Sequence, residues 1–370
     1  MSTLWIFRPL DSCFFREAKP FNASEGGFLT SKFPPPAQTL AGSFRSTVGE
    51  LLDVDWTDYG TNAANPFRNI IGSPDNPYPL SFSGPYVLRS GERLYPAPLH
   101  LLYAPGNHTD ARQKFKWERL TPGDIVCCDI GEVSLPRANK ILADGKLPEK
   151  IWLCETDLTA VLNGEPPAGG ISETELIKNE DRAGIGRDNQ RSAVEEGLLY
   201  FVRHLRLHDA VSFAIEVTGM PDDINLAHEI MTRCGGEGRL AELRKAQNTN
   251  TLPAAPEPTG KEKGLILTLL TNGDFDGKAA PDWTVIDERL GVALTLVTAC
   301  TGKPVREGGW DYAQRPPRPK PLKSLVPAGS SYFVTVAGDI RAAVAALHGK
   351  KIGNRTEFGY GEIVAGLWND

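Results

Sequence analysis

What most constrains this chain is a series of short apolar runs, each stopped by Gly, Pro or Asp. LWIFRPL (4–10), IVCCDIG (125–131), LLYFVRHLRL (198–207), AVSFAIEVTG (210–219), GLILTLLTNG (264–273), SYFVTVAG (331–338) and EIVAGLW (362–368) all have this form. β-Branched and aromatic residues dominate them, so they read as strands. Helical spacing intervenes at a few places. In PPPAQTLAGSFRSTVGELL the proline-rich start suits a first helical turn, and Leu40, Phe44, Val48 and Leu51 recur on one face. ETDLTAVLNG (155–164) reads as a short helix ending at Gly164, and DDINLAHEIMTRCGGEG (222–238) as a helix running up to its glycines. In DIRAAVAALHG, Asp339 is a natural N-cap, Ile340, Val344 and Leu347 share a face, and Gly349 ends the helix. A hairpin turn is expected at Ser90-Gly91, and a close backbone approach at Gly42 inside the first helix. Strand–helix–strand order twice over points to two α+β domains built on antiparallel sheets. The polar, glycine-rich stretch 165–197 places the boundary near 195, giving domains 1–195 and 196–370.

Composition narrows the chemistry. The net charge is −6, so polyanion binding must come from a local patch rather than a global field. No apolar run approaches the roughly 18 residues of a membrane span, and the N-terminus does not read as a signal peptide, so a cytoplasmic protein is expected. The six cysteines form no C-x-x-C pair, and no metal site is expected among them or the six histidines. GDFDGKAA (273–280) misses the P-loop spacing and its Ser/Thr, so it reads as a polar turn. GIGRDN (184–189) lacks the third glycine of the dinucleotide fingerprint. No nucleophile elbow and no zincin motif is present, so neither catalysis nor a cofactor is expected.

Locally the charge differs. Lys303, Arg306, Arg315, Arg318, Lys320 and Lys323 face only Glu307 and Asp311 in the 303–323 segment, with Trp310 and Tyr312 between them. Spaced cations with aromatics suit single-stranded nucleic acid. Glycine turns, some beside arginines, recur at GIGRD (184–188), CGGEGR (234–239) and EFGYG (357–361). Glycine lets backbone N–H groups approach a phosphate, and arginine adds a bidentate donor.

The blocks RPLDSCFFREAKPF, FPPPAQTLAGSFR, RAGIGRD…AVEEGLLY, CGGEGRLAEL, GGWDYAQRPPRPKPLKSLVPAGSSYF and FGYGEIVAGLW resemble, in order, those of the type III-B CRISPR RAMP protein that is the third Cmr subunit. Glu17-Ala18 departs from the Asp-Gly that many relatives carry after FFR. The resemblance implies two ferredoxin-like (RRM-like) domains with inserted hairpins. It also implies a noncatalytic subunit that holds the 5′ tag of the CRISPR RNA. Its implied protein partners are the large cyclase/polymerase-like subunit and the first backbone RAMP subunit. The RNP1 octapeptide of RRM sheets is missing, so contacts are expected from loops, the first helix's N-terminus and hairpins. The expected RNA-binding residues, most of them within the family blocks, are Arg16, Lys19, Lys32, Arg45, Gly184, Gly186, Arg187, Arg191, Gly235, Gly236, Gly238, Arg239, Arg315, Arg318, Gly359 and Gly361. Phe14, Phe15 and Phe44 are expected in the core. Alternative readings are a RAMP endoribonuclease cutting precursor CRISPR RNA, the equivalent subunit of another type III subtype, and a module gripping an acidic protein surface.

Overall fold

The computed structural model describes residues 2–18, 28–106, 114–128, 131–188, 193–222, 224, 226–247, 252–311, 316 and 318–369, without the side chains of 128, 131, 185–188, 193–199 and 311. Lys19, Arg191 and Arg315 lie outside the described residues. The fold is α+β with mostly antiparallel sheets. It divides into two units, 1–91 with 174–249 and 306–323, and 92–173 with 250–305 and 324–370. A single cut near 195 therefore does not describe the chain. The polar run placed at that cut is strand: it builds the hairpin of Ile177–Asp188 and Ala193–Leu207. No helix among the described residues is long and apolar enough to cross a membrane.

The first unit holds β1 (Thr3–Pro9), α1 (Ala37–Leu51), β2 (Ser81–Arg89), β3 (Val211–Thr218) and β4 (Leu240–Lys245). Its sheet runs β4-β1-β3-β2, every neighbour antiparallel. Leu40, Phe44 and Val48 of α1 are fully buried, and Phe44 meets Trp5 at 5.4 Å and Phe82 at 6.0 Å between ring centroids. The bend at Ser90-Gly91 has positive φ at both residues, 54° and 85°. Gly42 has open space where a side chain would stand. The close approach expected there falls instead at Gly49, where a Cβ would collide with the Trp56 ring. Between β3 and β4 the described residues of 222–238, expected as a helix, form no helix. Glu229–Arg233 is an edge strand on β4, with the Thr232 hydroxyl 3.0 Å from that of Ser43 and 2.6 Å from that of Thr47 on α1. The two-residue period of Ile230, Met231, Thr232 and Arg233 overrides the weak helical spacing before it.

The second unit repeats the scheme with β5 (Gly264–Leu269), α2 (Trp283–Leu290), β6 (Leu294–Cys300), β7 (Ser331–Val336), α3 (Ile340–Leu347) and β8 (Ile363–Trp368). Its sheet runs β8-β5-β7-β6, again antiparallel. Asp339 caps α3, accepting from the Arg341 and Ala342 N–H groups. Helix α2 is not among the expected elements, although Asp282 caps it and Gly291 closes it at φ 66°. One face of this sheet packs Leu265, Leu267, Val334 and Ala365 with Val344 and Leu347 of α3. On the other face Ile266, Phe333 and Trp368 pack with Leu99 and Leu120. With both faces covered, no aromatic of this sheet is left as an open base-stacking platform. GDFDGK is a tight turn with positive φ at Asp276 and Gly277, and Asp274 accepts from Arg355 Nε at 2.5 Å.

Candidate nucleic-acid interface

Of the described site candidates of the first unit, Gly235, Gly236, Gly238 and Arg239 gather around the DSCFFRE segment that follows β1. Cys13 exchanges backbone hydrogen bonds with Leu205; Phe14 and Phe15 are buried, as expected. This fixes the segment against the hairpin strand Ala193–Leu207. The glycine turn 234–239 closes on its other side. Gly236 N–H donates to the Phe14 carbonyl at 2.8 Å. Gly235 has φ 84°, and a Cβ there would stand 2.5 Å from the same oxygen. The smallness of this turn thus serves approach to protein backbone. Gly238, at φ 63°, faces open space.

Three arginines from these elements meet one carboxylate. Asp11 accepts from Arg206 Nη2 at 2.8 Å and from Arg182 Nη2 and Arg239 Nη1 at 3.3 Å each. Glu180 accepts from Arg182 Nε at 2.8 Å and Arg206 Nε at 2.7 Å. The strand period accounts for this: residues 180, 182, 204 and 206 share one face of the hairpin. The Arg206 guanidinium, with that of Arg182, holds the Asp11 carboxyl below the usual range against the effect of burial. On the opposite face Arg203 forks onto Asp181 at 2.7 and 2.9 Å and lies 4.8 Å from the Phe28 ring centroid.

Behind the arginines, His204 is fully buried. Its Nε2 lies 2.9 Å from Glu237 Oε2 and its Nδ1 3.1 Å from Ser12 Oγ. A carboxylate only accepts, so Nε2 carries the proton and Nδ1 accepts from the serine. Burial lowers the His204 pKa even though Glu237 raises it. Serine, histidine and carboxylate in a row is the order of a nucleophile, its base and an orienting group. Ser12, however, is 1% exposed and His204 0%, so the row opens on no substrate.

The remaining site candidates separate. Arg16 is exposed, in a bridge to Ser31. Lys32 donates to the Arg306 carbonyl; burial lowers its ammonium pKa against the pull of Glu307 and Glu17. Arg318 is exposed on a short strand paired with Trp310–Asp311, and Trp310 is 49% exposed. Arg45 does not reach the surface. It is buried in the first unit, its guanidinium donating to the carbonyls of Ile71 and Ser73 and to the Tyr59 hydroxyl, so its hydrogen bonds hold the 59–73 segment on α1. Gly184 faces Tyr200 across the hairpin, where a Cβ would meet the ring at 2.3 Å. Gly186 lies in the irregularity between Ile185 and Arg187, and Arg187 pairs through its backbone with Val194.

A family model described as CRISPR-associated protein (Cas_Cmr3) matches residues 5–368. The chain belongs to this family. The resemblance to the third subunit of the type III-B Cmr complex is thereby borne out. No curated protein matches the sequence. Solved structures similar to it include a chain of the type III-B Cmr-beta complex bound to cognate target RNA and AMPPnP. That chain is 16% identical, covers 89% of this chain and 86% of its own, and has a TM-score of 0.48. A chain of the Csm3–Csm4 subcomplex of the type III-A interference complex is 14% identical over 100% of both chains, with a TM-score of 0.36. In this Cas_Cmr3 chain the terminal FGYG block belongs to the second unit and is buried. Gly359 has φ 103°; Gly361 has φ 75°, and a Cβ there would stand 1.9 Å from the Ile352 carbonyl oxygen. Gly361 is required by this close approach, and both glycines are buried.

The members of the Asp11 cluster absent from the expectation are Asp11, Glu180, Arg182, Arg206 and Glu237. Their signal was present: alternating charges at 180 and 182 and an RHLRL run at 203–207, which two-residue periodicity places on defined faces.

Proposed function

We propose that this chain is a noncatalytic RNA-binding subunit of a type III-B (Cmr) CRISPR effector complex. It holds the repeat-derived 5′ tag of the CRISPR RNA and docks the large cyclase/polymerase-like subunit and a backbone RAMP subunit. Both units are ferredoxin-like, a reading supported by the β4-β1-β3-β2 and β8-β5-β7-β6 orders. In the first unit an edge strand stands in place of the second helix. The observation that carries the RNA reading is the gathering of half-exposed arginines around the DSCFFRE segment, in a family of CRISPR proteins and in a chain of net charge −6. Guanidinium groups on neighbouring rigid elements match phosphate oxygens in pairs.

The test is fluorescence anisotropy of the full chain with labelled single-stranded RNA carrying the repeat-derived 5′ sequence, against RNA lacking it. Tag-bearing RNA should bind tighter, and Arg239→Glu should weaken binding by roughly tenfold or more, the scale of losing a charge-assisted contact. Equal affinity for both RNAs would reject tag recognition. The endoribonuclease reading has only the Ser12–His204–Glu237 row, whose serine and histidine are buried. Specific cleavage of repeat RNA in EDTA would establish that reading and overturn the noncatalytic one.

A further inference from the structure

Arg182, Arg206 and Arg239 come from separate, well-fixed backbones. The first two lie on adjacent strands of the hairpin, and the third closes the 234–239 turn that Gly236 ties to Phe14. All three aim at Asp11, which is not on a strand but in the bend after β1, with its side chain 48% exposed. The other two carboxylates of the cluster have separate duties: Glu180 bridges Arg182 and Arg206, and Glu237 accepts from His204 Nε2. Arg239 stays under-supplied. Its Nε is closed to solvent and has no acceptor among the described residues, and its Nη2 lies 3.9 Å from Glu237. Guanidinium donors from three places in the chain therefore converge on one planar acceptor that bears a single charge and two oxygens.

We propose that Asp11 is a stand-in for an RNA backbone phosphodiester. Arg182, Arg206 and Arg239 form a cup for one phosphate, which Asp11 fills in the free chain and leaves when RNA binds. A phosphodiester brings the same charge with non-bridging oxygens in a tetrahedral arrangement, which bidentate arginines match as well as they match a carboxylate. Exposed carboxylate–arginine pairs are weakly held, so the bend carrying Asp11 yields at little cost. The donors stay in place, and preorganised donors lower the cost of binding. Asp11 also keeps three like charges from facing one another while the cup has no RNA.

This inference rests on the RNA-binding reading, and the experiment separates the two. Anisotropy titrations use the full chain at low salt with labelled single-stranded RNA bearing the repeat-derived 5′ sequence. Asp11→Asn keeps the shape and removes the competing charge; it should bind the RNA roughly 1.5- to fivefold tighter than wild type, the range expected of one exposed pair. Arg206→Gln should weaken binding and abolish most of the gain in the double variant. Thermal melts of each variant establish that it is folded, and Asp11→Ser serves as the second variant if Asp11→Asn is not. Unchanged or weaker binding by Asp11→Asn, with wild type still binding, overturns the stand-in and leaves RNA binding intact. Tighter capture of a polyglutamate peptide by Asp11→Asn, with RNA affinity unchanged, overturns it in favour of an acidic protein partner. Failure of wild type to bind the RNA overturns the RNA-binding reading and this inference together.

Discussion

At Gly235 the backbone sits at φ 84°, and a methyl group would press on the Phe14 carbonyl oxygen and the Phe15 ring. Gly235→Ala should therefore cost about 1–3 kcal/mol, from left-handed strain and displacement of the segment. Gly238→Ala, with φ 63° and open space, should cost only the backbone strain of about 1 kcal/mol. Urea denaturation of both variants checks the ordering; equal losses would reject the packing role of Gly235. The sequence shows that these positions need glycine but not what comes close, because Phe14 lies far away along the chain. Arg45 poses the same difficulty: a cation in a helix looks available until the carbonyls that hold it are placed. His100 offers a titration in the second unit. Burial and the nearby Arg119 push its pKa down to about 3 from 6.5, with Nδ1 3.0 Å from Ser331 Oγ. The unfolded chain takes up this proton near 6.5 and the folded chain only near 3. This histidine therefore costs no stability above pH 6.5, and its contribution falls by about 1.4 kcal/mol per pH unit below it. His100→Asn should flatten the pH dependence of urea stability between about pH 6 and about pH 4 by that slope; an unchanged profile would show that the imidazole is protonated in the fold.

At the scale of elements, legibility follows local signal. β1, α1, β3, β5, β7, α3 and β8 were all readable, because each couples a clear period to a cap, a proline or a glycine stop. The 222–238 segment misled because Asp222, Leu226 and Ala227 suggest a helix start, whereas the Thr232 hydroxyl finds its partners on α1. A tertiary contact decided the element. Helix α2 was missed for the opposite reason. Trp283, Ile286 and Leu290 keep helical spacing between Asp282 and Gly291, but the run has only eight residues and is mostly polar. Of the hairpin over 177–207, the second strand is legible from Leu198 onward and the first is not. Its polar, glycine-bearing first strand resembled a linker, and Gly184 is there to admit the Tyr200 ring. Recognising it as a strand would have placed Arg182 and Arg206 on the face that carries the arginine cluster.

For the molecule as a whole, the net charge of −6 and the local cluster make opposite demands. Beyond a Debye length of about 8 Å at physiological salt, the chain presents no attractive field to RNA. Binding must then come from a few short-range phosphate contacts rather than a long basic track. The described candidates are the Asp11 cup with exposed Arg16 and Arg318. If the cup takes one phosphate and each outlying arginine another, about three phosphates are neutralised. For single-stranded RNA this predicts a slope of about −2 in log affinity against log salt, at roughly 0.7 per phosphate. Arg318→Gln should reduce the magnitude of the slope by about 0.7, whereas Asp11→Asn should shift the line toward tighter binding. Titrations of the full chain across a range of salt concentrations give both quantities. A slope steeper than about −5 would require a continuous basic channel, and a slope near zero would remove phosphate contact from the mechanism altogether.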